Sequence, residues 1–523
     1  MAEDQCANGA GAELRGMIEA FGKPFVEWLL GDISEVSPEQ EEMAKLIAEK
    51  APFGTADGVF FGWGPMFCAP RNGETSPIAH MRRLIGAAEG DNAPSSGDVT
   101  LDALNALAAE MYGAFLLEGK ISLPFAAPVQ TPLEEAAVEA VRRDPDLPFD
   151  ASSDLLEAVQ LSQGIGFSGG VQLVAVPSSI IYAAWSRAKL RDCVPDLTGL
   201  RESVKWMLRE ARSGYSRRHF TAIGVASLSG VVGPVDVRLE LPWGVLRSAH
   251  GSDRPRVPRV RDGGDRTIQG GDDENAVTIR YSGDVILETE VKCSAKYAPV
   301  ADISEDSIPS LDMRCQHILS ERVNLARLAF LLSWEGEDVP VVIPGWSKFV
   351  VPVRQGEGWQ SSNPDRYAML RPTAVSREQM ADWQEWIARL SSVNFRRLGI
   401  APQRLLRASA ERRDHLDALI DAVIVWESLL GADREITYRV SAALSKLLYA
   451  GFEERSEFRK RATDIYRLRS QIVHGVDVRS DKVASASRDA IRIAKRALRS
   501  LVLDRPDLIP MSSEERSNRL ILE

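Results

Sequence analysis

The sequence predicts an α+β multidomain chain: a mainly helical N-terminal part, a β-rich middle with one inserted helix, and a C-terminal helical bundle. Three observations predict it. Apolar residues recur at helical spacing through the first part, the period falls to 2 from about Phe220, and helical spacing returns from Arg377 almost to the end. The expected divisions are 1–215, 216–375 and 376–523, the last with a core at about 404–503. A length of 523 residues agrees with about three units of roughly 150 residues each.

The elements follow in order. Segments 13–30, 38–51, 100–117, 134–143, 152–163 and 200–212 read as helices, with Thr100 or Asp102 as a cap for the third. Gly- and Pro-rich breaks at 53–70 and 90–97 separate them. In the middle, VDVRLELPW, AVTIRYSGDVILETEVKCSAKY and VPVVIPGWSKFVVPV alternate or run in short β-branched stretches, as strands do. A long Gly-rich loop at 248–275, basic first and acidic later, is expected to be mobile. One helix at 311–332 interrupts the strands.

Composition excludes several classes. Hydrophobic residues are 44% and charged residues 26%, which suits a globular chain with sizeable cores. No run approaches about 18 apolar residues, so no spanning helix and no membrane partner are expected. The acidic start, MAEDQ, lacks the form of a signal peptide. The five scattered cysteines (Cys6, Cys68, Cys193, Cys293, Cys315) form no CxxC pair, so reduced thiols in a cytoplasmic protein are expected, with no metal. The net charge of -11 argues against bulk coating of nucleic acid. From Ala401 onward 23 Lys+Arg stand against 19 Asp+Glu, or +4, which leaves -15 for the residues before it. A nucleic-acid site belongs in that C-terminal quarter.

Two motifs in GIGFSG are decoys. Gly164, Gly166 and Gly169 spell GxGxxG, and Gly166, Ser168 and Gly170 spell GxSxG. Both chemistries need a strand before the turn and a helix after it. Here a helix-like segment precedes and a strand-like GVQLVAV follows. Nothing marks His219, His250 or His317 as a partner for Ser168.

The informative stretch is 414–478. In HLDALIDAVIVWESLL, residues Leu416, Ile420, Val423, Glu427 and Leu430 step by 4, 3, 4 and 3, which puts Glu427 on an apolar stripe. A carboxylate there must be paired or face a cleft. GADRE breaks the helix, EITYRVSAALSKLLYAG makes a second one expected to stop at Gly451, and EERSEFRKRATDIYRLRSQIVHG makes a third. Along the third, Phe458, Ala462, Ile465, Arg469 and Ile472 repeat the same steps, so Arg469 is a cation on the core stripe. Arg467 lies about 160° away and faces solvent. His474 comes at the helix end, before Gly475 as the C′ residue. In SRDAIRIAKRALRSLVL, Ile491, Ala494, Leu498 and Leu501 point inward, while Arg488, Arg492, Lys495, Arg496 and Arg499 point away or flank that stripe.

WESLL, the Glu435-Ile436 helix start and IYRLRSQIVHG resemble the HEPN superfamily, in its ApeA-like branch, over about 404–503. The family signature, R-x(4–6)-H with a polar residue after the arginine, falls on Arg469, Ser470 and His474. The resemblance implies a metal-independent endoribonuclease that needs no cofactor. RNA cleaves itself when its 2′-OH is deprotonated, the phosphate charge is stabilised and the 5′-oxygen is protonated. His474 suits the proton transfers and Arg469 the phosphorane-like oxygens. Ser470 would bond the phosphate or orient His474, and Glu427 would orient Arg469. Arg467, Arg492 and Arg496 are candidate RNA contacts.

On an ideal helix Arg469 and His474 diverge by about 140°, so one helix makes no compact clamp. The resemblance implies a homodimer that pairs two such helices. It also implies an antiviral or abortive-infection toxin cleaving RNA, tRNA among the candidates, with the first 375 residues sensing a phage-derived trigger. The alternative is a non-catalytic HEPN module for dimerisation or for nucleotide or RNA binding in a regulatory scaffold.

Overall fold

Helix breaks set the layout of the N-terminal part. The computed structural model describes residues 12–50, 76–87, 94–117, 131–150, 152–154, 156–163, 167–234, 237–249, 266–268, 277–279, 285–299, 313–336, 339–353, 359–361, 373–431 and 434–523. The predicted helix at 13–30 is two helices, α1 (Ala12–Phe21) and α2 (Lys23–Leu30). Gly22 between them takes φ +87°, which glycine adopts without strain, and Pro24 lacks the N–H to continue the ladder. Then come α3 (Pro38–Lys50), α4 (Pro77–Leu84), α5 (Val99–Leu116) and α6 (Pro132–Arg142). The cap of α5 is Asp98, which accepts from Leu101 N at 3.1 Å, rather than Thr100 or Asp102. Asp102 instead accepts from the Ser95 and Ser96 hydroxyls, both at 2.6 Å, and braces the incoming loop.

The predicted helix at 152–163 is a correction: its second half is strand β1 (Ala158–Gln163), antiparallel to β2 (Phe167–Gln172). Val159 and Leu161 are both buried on one face, and the two-residue period of AVQLSQ decides in favour of the strand. Ser168 and Gly169 of the GIGFSG segment lie in β2 opposite Ser162 and Leu161, and 164–166 fall outside the described residues. A strand pair therefore stands where either decoy motif needs strand–turn–helix. The β-branched GVQLVAV leads through a short 3₁₀ turn into α7 (Val176–Ala188), followed by α8 (Leu197–Arg217).

The middle builds the sheet. Its strands are β3 (His219–Ser229), β4 (Val231–Val232), β5 (Arg238–Leu241), β6 (Gly244–Ser248), β7 (Arg266–Ile268), β8 (Val277–Ile279), β9 (Val285–Pro299), β10 (Ile343–Val350), β11 (Trp359–Ser361) and β12 (Thr373–Ala374). Of the twelve strands among the described residues, eight form one antiparallel sheet in the order β11-β10-β3-β9-β1-β2, with the β5–β6 hairpin paired to the first part of β9. The long β9 joins the two halves: 285–294 pairs with β3 and 295–299 with β1. The expected mobile loop at 248–275 lies mostly outside the described residues, where only 248–249 and β7 are placed.

The two faces of this sheet bury different helices. Phe220, Ala222 and Leu228 of β3, with Leu287 and Val291 of β9, face α9 (Arg314–Ser333) and the C-terminal helices. Val225, Ile286, Trp346 and Val350 face the helices of the N-terminal part. A strand's two-residue period makes this double burial possible.

The C-terminal part consists of α10 (Arg377–Ser391), α11 (Ala401–Leu406), α12 (His415–Leu430), α13 (Ile436–Leu448), α14 (Phe452–Val473), α15 (Ser480–Leu503) and α16 (Ser513–Leu522). Among these, α12 packs against α15 and α13 against α14. Helix α13 ends at Leu448, before Tyr449 turns extended, and Gly451 serves as the N-cap of α14 instead of stopping α13. One apolar core runs from Phe220 to Leu520, so no break in packing accompanies the expected division at 375/376. Trp383 of α10 donates its Nε1 to Ala326 O of α9 at 2.8 Å, and buried Arg516 of α16 donates to the carbonyls of Leu429, Arg397 and Met511. These bonds pair polar groups that would be costly to bury alone.

Candidate functional site

The distal end of α14 gathers the predicted residues. Phe458, Ala462 and Ile465 are buried along the predicted stripe, Arg469 and Ile472 are half-buried, and Ser470 and His474 are exposed. Arg467 faces solvent as its helical position requires, paired with Asp464 at 3.1 Å. The chain then turns sharply. His474 is the C-cap, Gly475 takes φ +77°, Gly475 N bonds Ile472 O at 3.0 Å and Val476 N bonds Gln471 O at 3.0 Å. That double bond pattern with a left-handed C′ glycine is a Schellman motif. It fixes the backbone of His474 at the rim of the bundle and leaves its ring in solvent.

Glu427 and Arg469 meet on the faces where α12 and α14 pack, but they form neither a direct ion pair nor a hydrogen bond. Their coupling is electrostatic. Burial raises the Glu427 carboxyl above its ordinary value, and the Arg469 charge pulls it back. Tyr466, edge-on to the buried Trp426 ring at 5.7 Å, feels both charges. Burial pushes the Tyr466 hydroxyl well above its ordinary value, Glu427 adds to the rise and Arg469 opposes it. Among the described residues Tyr466 Oη and Arg469 Nε are both buried and find no hydrogen-bond partner. A buried donor left unsatisfied costs on the order of 1–3 kcal/mol. The cluster therefore holds unspent hydrogen-bonding capacity beside the motif.

Ser470 touches His474 through the main chain: its carbonyl accepts from His474 N at 3.1 Å. Its hydroxyl is exposed at the same rim. The rim is also apolar, because Val473 and Val476 are left 53% and 52% exposed; Ile436 and Tyr438, large side chains 40% and 52% exposed, lie at the start of α13. Tyr438 carries the Arg459 guanidinium over its ring at 4.3 Å.

Arg492 and Arg496 do not join this end. Arg461 binds Asp489 of α15 at 2.5 Å, which sets the register of the two helices. From Arg461 to His474 the helix rises about 20 Å. Arg492 and Arg496 lie beside or below that Asp489 level and line a separate cavity of about 670 Å³. Lys495, expected to point away from or flank the inward stripe, is 7% exposed and donates to Trp334 O.

Sequence reasoning missed Asp421 and the coupling of Tyr466 to Glu427 and Arg469. Asp421 is 1% exposed and accepts from Arg404 at 2.5 Å and Arg412 at 2.6 Å, an ionic clasp that ties α12 to the segment before it. Its position between Leu419 and Val423 is as visible in the sequence as that of Glu427, but its partners are set by the tertiary fold. Tyr466 is buried in helix packing against Trp426 and couples electrostatically to both Glu427 and Arg469.

The cluster presents a cation with donors to spare, a histidine and a hydroxyl at one helix end. That set can bind an anionic oxygen and move a proton. No protein-family model, curated protein or solved structure matches the chain, so the site rests on this geometry and on the resemblance of WESLL and IYRLRSQIVHG.

Proposed function

We propose that the chain is a metal-independent endoribonuclease of the HEPN type, with Arg469 and His474 as its catalytic residues and Ser470 and Glu427 in support. The observation that carries the reading is the end of α14: Arg469 is half-buried beside Glu427 with its Nε unsatisfied, and His474 is held at the rim by the Schellman turn. His474 would take the 2′-OH proton or give one to the leaving 5′-oxygen, and Arg469 would stabilise the charge on the phosphate. The 2′-OH requirement means DNA survives. In a single chain His474 and Arg469 diverge, and the exposed apolar pair Val473 and Val476 beside them suits a second copy. A homodimer would bring two such ends into one cleft. The wider role is a toxic effector in antiphage defence, with the helical first part and the sheet as sensor.

The test is incubation of wild-type, Arg469→Ala and His474→Ala protein with total cellular RNA in EDTA, with the 3′ ends assayed for cyclic phosphate. Wild-type protein should cleave, and each substitution should lower the rate by about 10²-fold or more. Sedimentation of the wild type should give a dimer. Failure to cleave, with phage-infected lysate present as a source of trigger, would leave the non-catalytic module as the reading.

A further inference from the structure

A cavity of about 580 Å³ lies between α9 and the segment 393–411 that leads into the bundle, and it has the size of a small-molecule site. Its walls are mostly apolar: Leu325 and Leu328 of α9 stand with Val393, Phe395, Pro402 and Leu406. Leu328 and Leu406 are buried, while Leu325, Val393 and Phe395 are left half-buried. Three cations (Arg322, Arg396 and Arg407) and two carboxylates (Glu321 and Glu411) share the lining.

These charges are not equivalent. Glu411 binds the buried Arg327 of α9 at 3.0 Å. Arg322 donates to Thr289 Oγ1 and to Glu290 O, the latter at 2.7 Å, and lies over the Trp243 ring at 5.3 Å. Along the segment itself, Arg404 and Arg412 clasp Asp421. Arg407 lies between them in sequence and is half-buried, and among the described residues its guanidinium makes no hydrogen bond and no ion pair. The backbone there is unusual. After Leu406 the helix widens into a π turn, Arg407–Glu411, closed by Arg412 N on Arg407 O at 2.9 Å. Such turns are rare and recur at functional sites. Both ends of this one line the cavity.

A guanidinium with unused donors beside an apolar wall suits an anionic head on an apolar body. The cations exceed the carboxylates by one, so a monoanion is balanced, whereas a polyanionic strand would meet Glu321 and Glu411. One planar guanidinium offers two parallel donors, which a carboxylate accepts together. We propose that this cavity binds a small amphipathic carboxylate, with its head on Arg407 and its hydrocarbon body against Leu325, Leu328, Phe395 and Leu406. Arg396, exposed in the same lining, is a second cation for the head. The site shares no residue with the Arg469–His474 end and does not depend on the ribonuclease reading. A ligand here would join α9, which packs on the sheet, to the segment that enters α12.

The experiment is isothermal titration of the full chain with octanoate, octanol and butyrate. Octanoate is expected to bind saturably at one site per chain. Octanol and butyrate should each bind about tenfold or more weakly, since one lacks the charge-assisted bonds and the other most of the apolar contact. Arg407→Gln should weaken octanoate by about tenfold and leave octanol unchanged. If that variant does not fold, Arg396→Gln, at an exposed position, should still weaken octanoate several-fold. His474→Ala should bind as the wild type does, which keeps this result independent of any loss of cleavage. Absence of saturable octanoate binding would overturn the proposal, as would binding unchanged in a folded Arg407→Gln. Octanol bound as tightly as octanoate would overturn the anionic head, and butyrate bound as tightly would overturn the apolar body.

Discussion

Glu427 carries a charge where the fold makes charge expensive, and the Arg469 field opposes that cost. In the unfolded chain it titrates as an ordinary carboxylate; in the fold burial raises it. Between those two values the folded chain keeps a proton that the unfolded chain has lost, so stability falls as pH rises through that window. Glu427→Gln should abolish this fall. Denaturant midpoints of wild type and variant, measured from pH 4 to 7, should converge at the acid end and separate in favour of the variant above it. Parallel curves would show that Glu427 feels no burial. The residue also marks how far single-sequence reasoning reaches. The 4, 3, 4, 3 spacing placed Glu427 and Arg469 on stripes that face each other, but the stripe of Glu427 is the edge of the buried face of α12. Asp421, on the opposite edge of that face, is buried outright, and its two arginines come from a segment whose approach no helical period describes.

At the scale of elements, local chemistry was most readable where backbone rules are strict. Gly475 after VH is a C′ glycine by its position, and the Schellman turn forms there. A Cβ at Gly475 would meet nothing within 4 Å, so the cost of Gly475→Ala is the left-handed φ alone, about 1 kcal/mol. Its effect on His474 should be larger than its effect on stability: cleavage should fall several-fold while the thermal midpoint moves little. A midpoint that drops in proportion to activity would mean the turn only holds the bundle together. Local rules failed where two templates fit one string. The 152–163 segment satisfied a helical pattern by count, yet β1 forms because an edge of β9 at 295–299 was available to pair with it. Similarly, the β-branched run at 170–176 ends β2 and starts α7, a junction set by what the sheet and the helices each need to bury. Gly113 makes the point inside a helix: a Cβ there would sit 2.0 Å from the Trp28 ring, a contact between α5 and α2 that no local signal announces.

At the scale of the molecule, the sheet lies between two helical layers, and the C-terminal helices share their core with one face of it. A fragment of residues 376–523 would expose the surface that α10 and α11 bury against α9. It should therefore behave as an aggregating or molten species, with dye-accessible apolar surface and no sharp thermal transition. A fragment that unfolds cooperatively as a soluble species would show the bundle to be self-sufficient. Among the described residues no helix is long and apolar enough to cross a membrane, as the absence of long apolar runs predicted.

The sequence by itself determined the fold class, the order of helical, β-rich and helical parts, the exact span of α12 and the stripe that brings Arg469 inward, because each follows from periodicity along one segment. The tertiary structure alone decided which charges meet. Asp421 finds Arg404 and Arg412, Lys495 turns in to cap α9, and Arg492 and Arg496 face a cavity about 20 Å along the bundle from His474 instead of flanking it. The physical reason is that helical phase fixes the direction of a side chain around its own axis, whereas its partner depends on which element packs there.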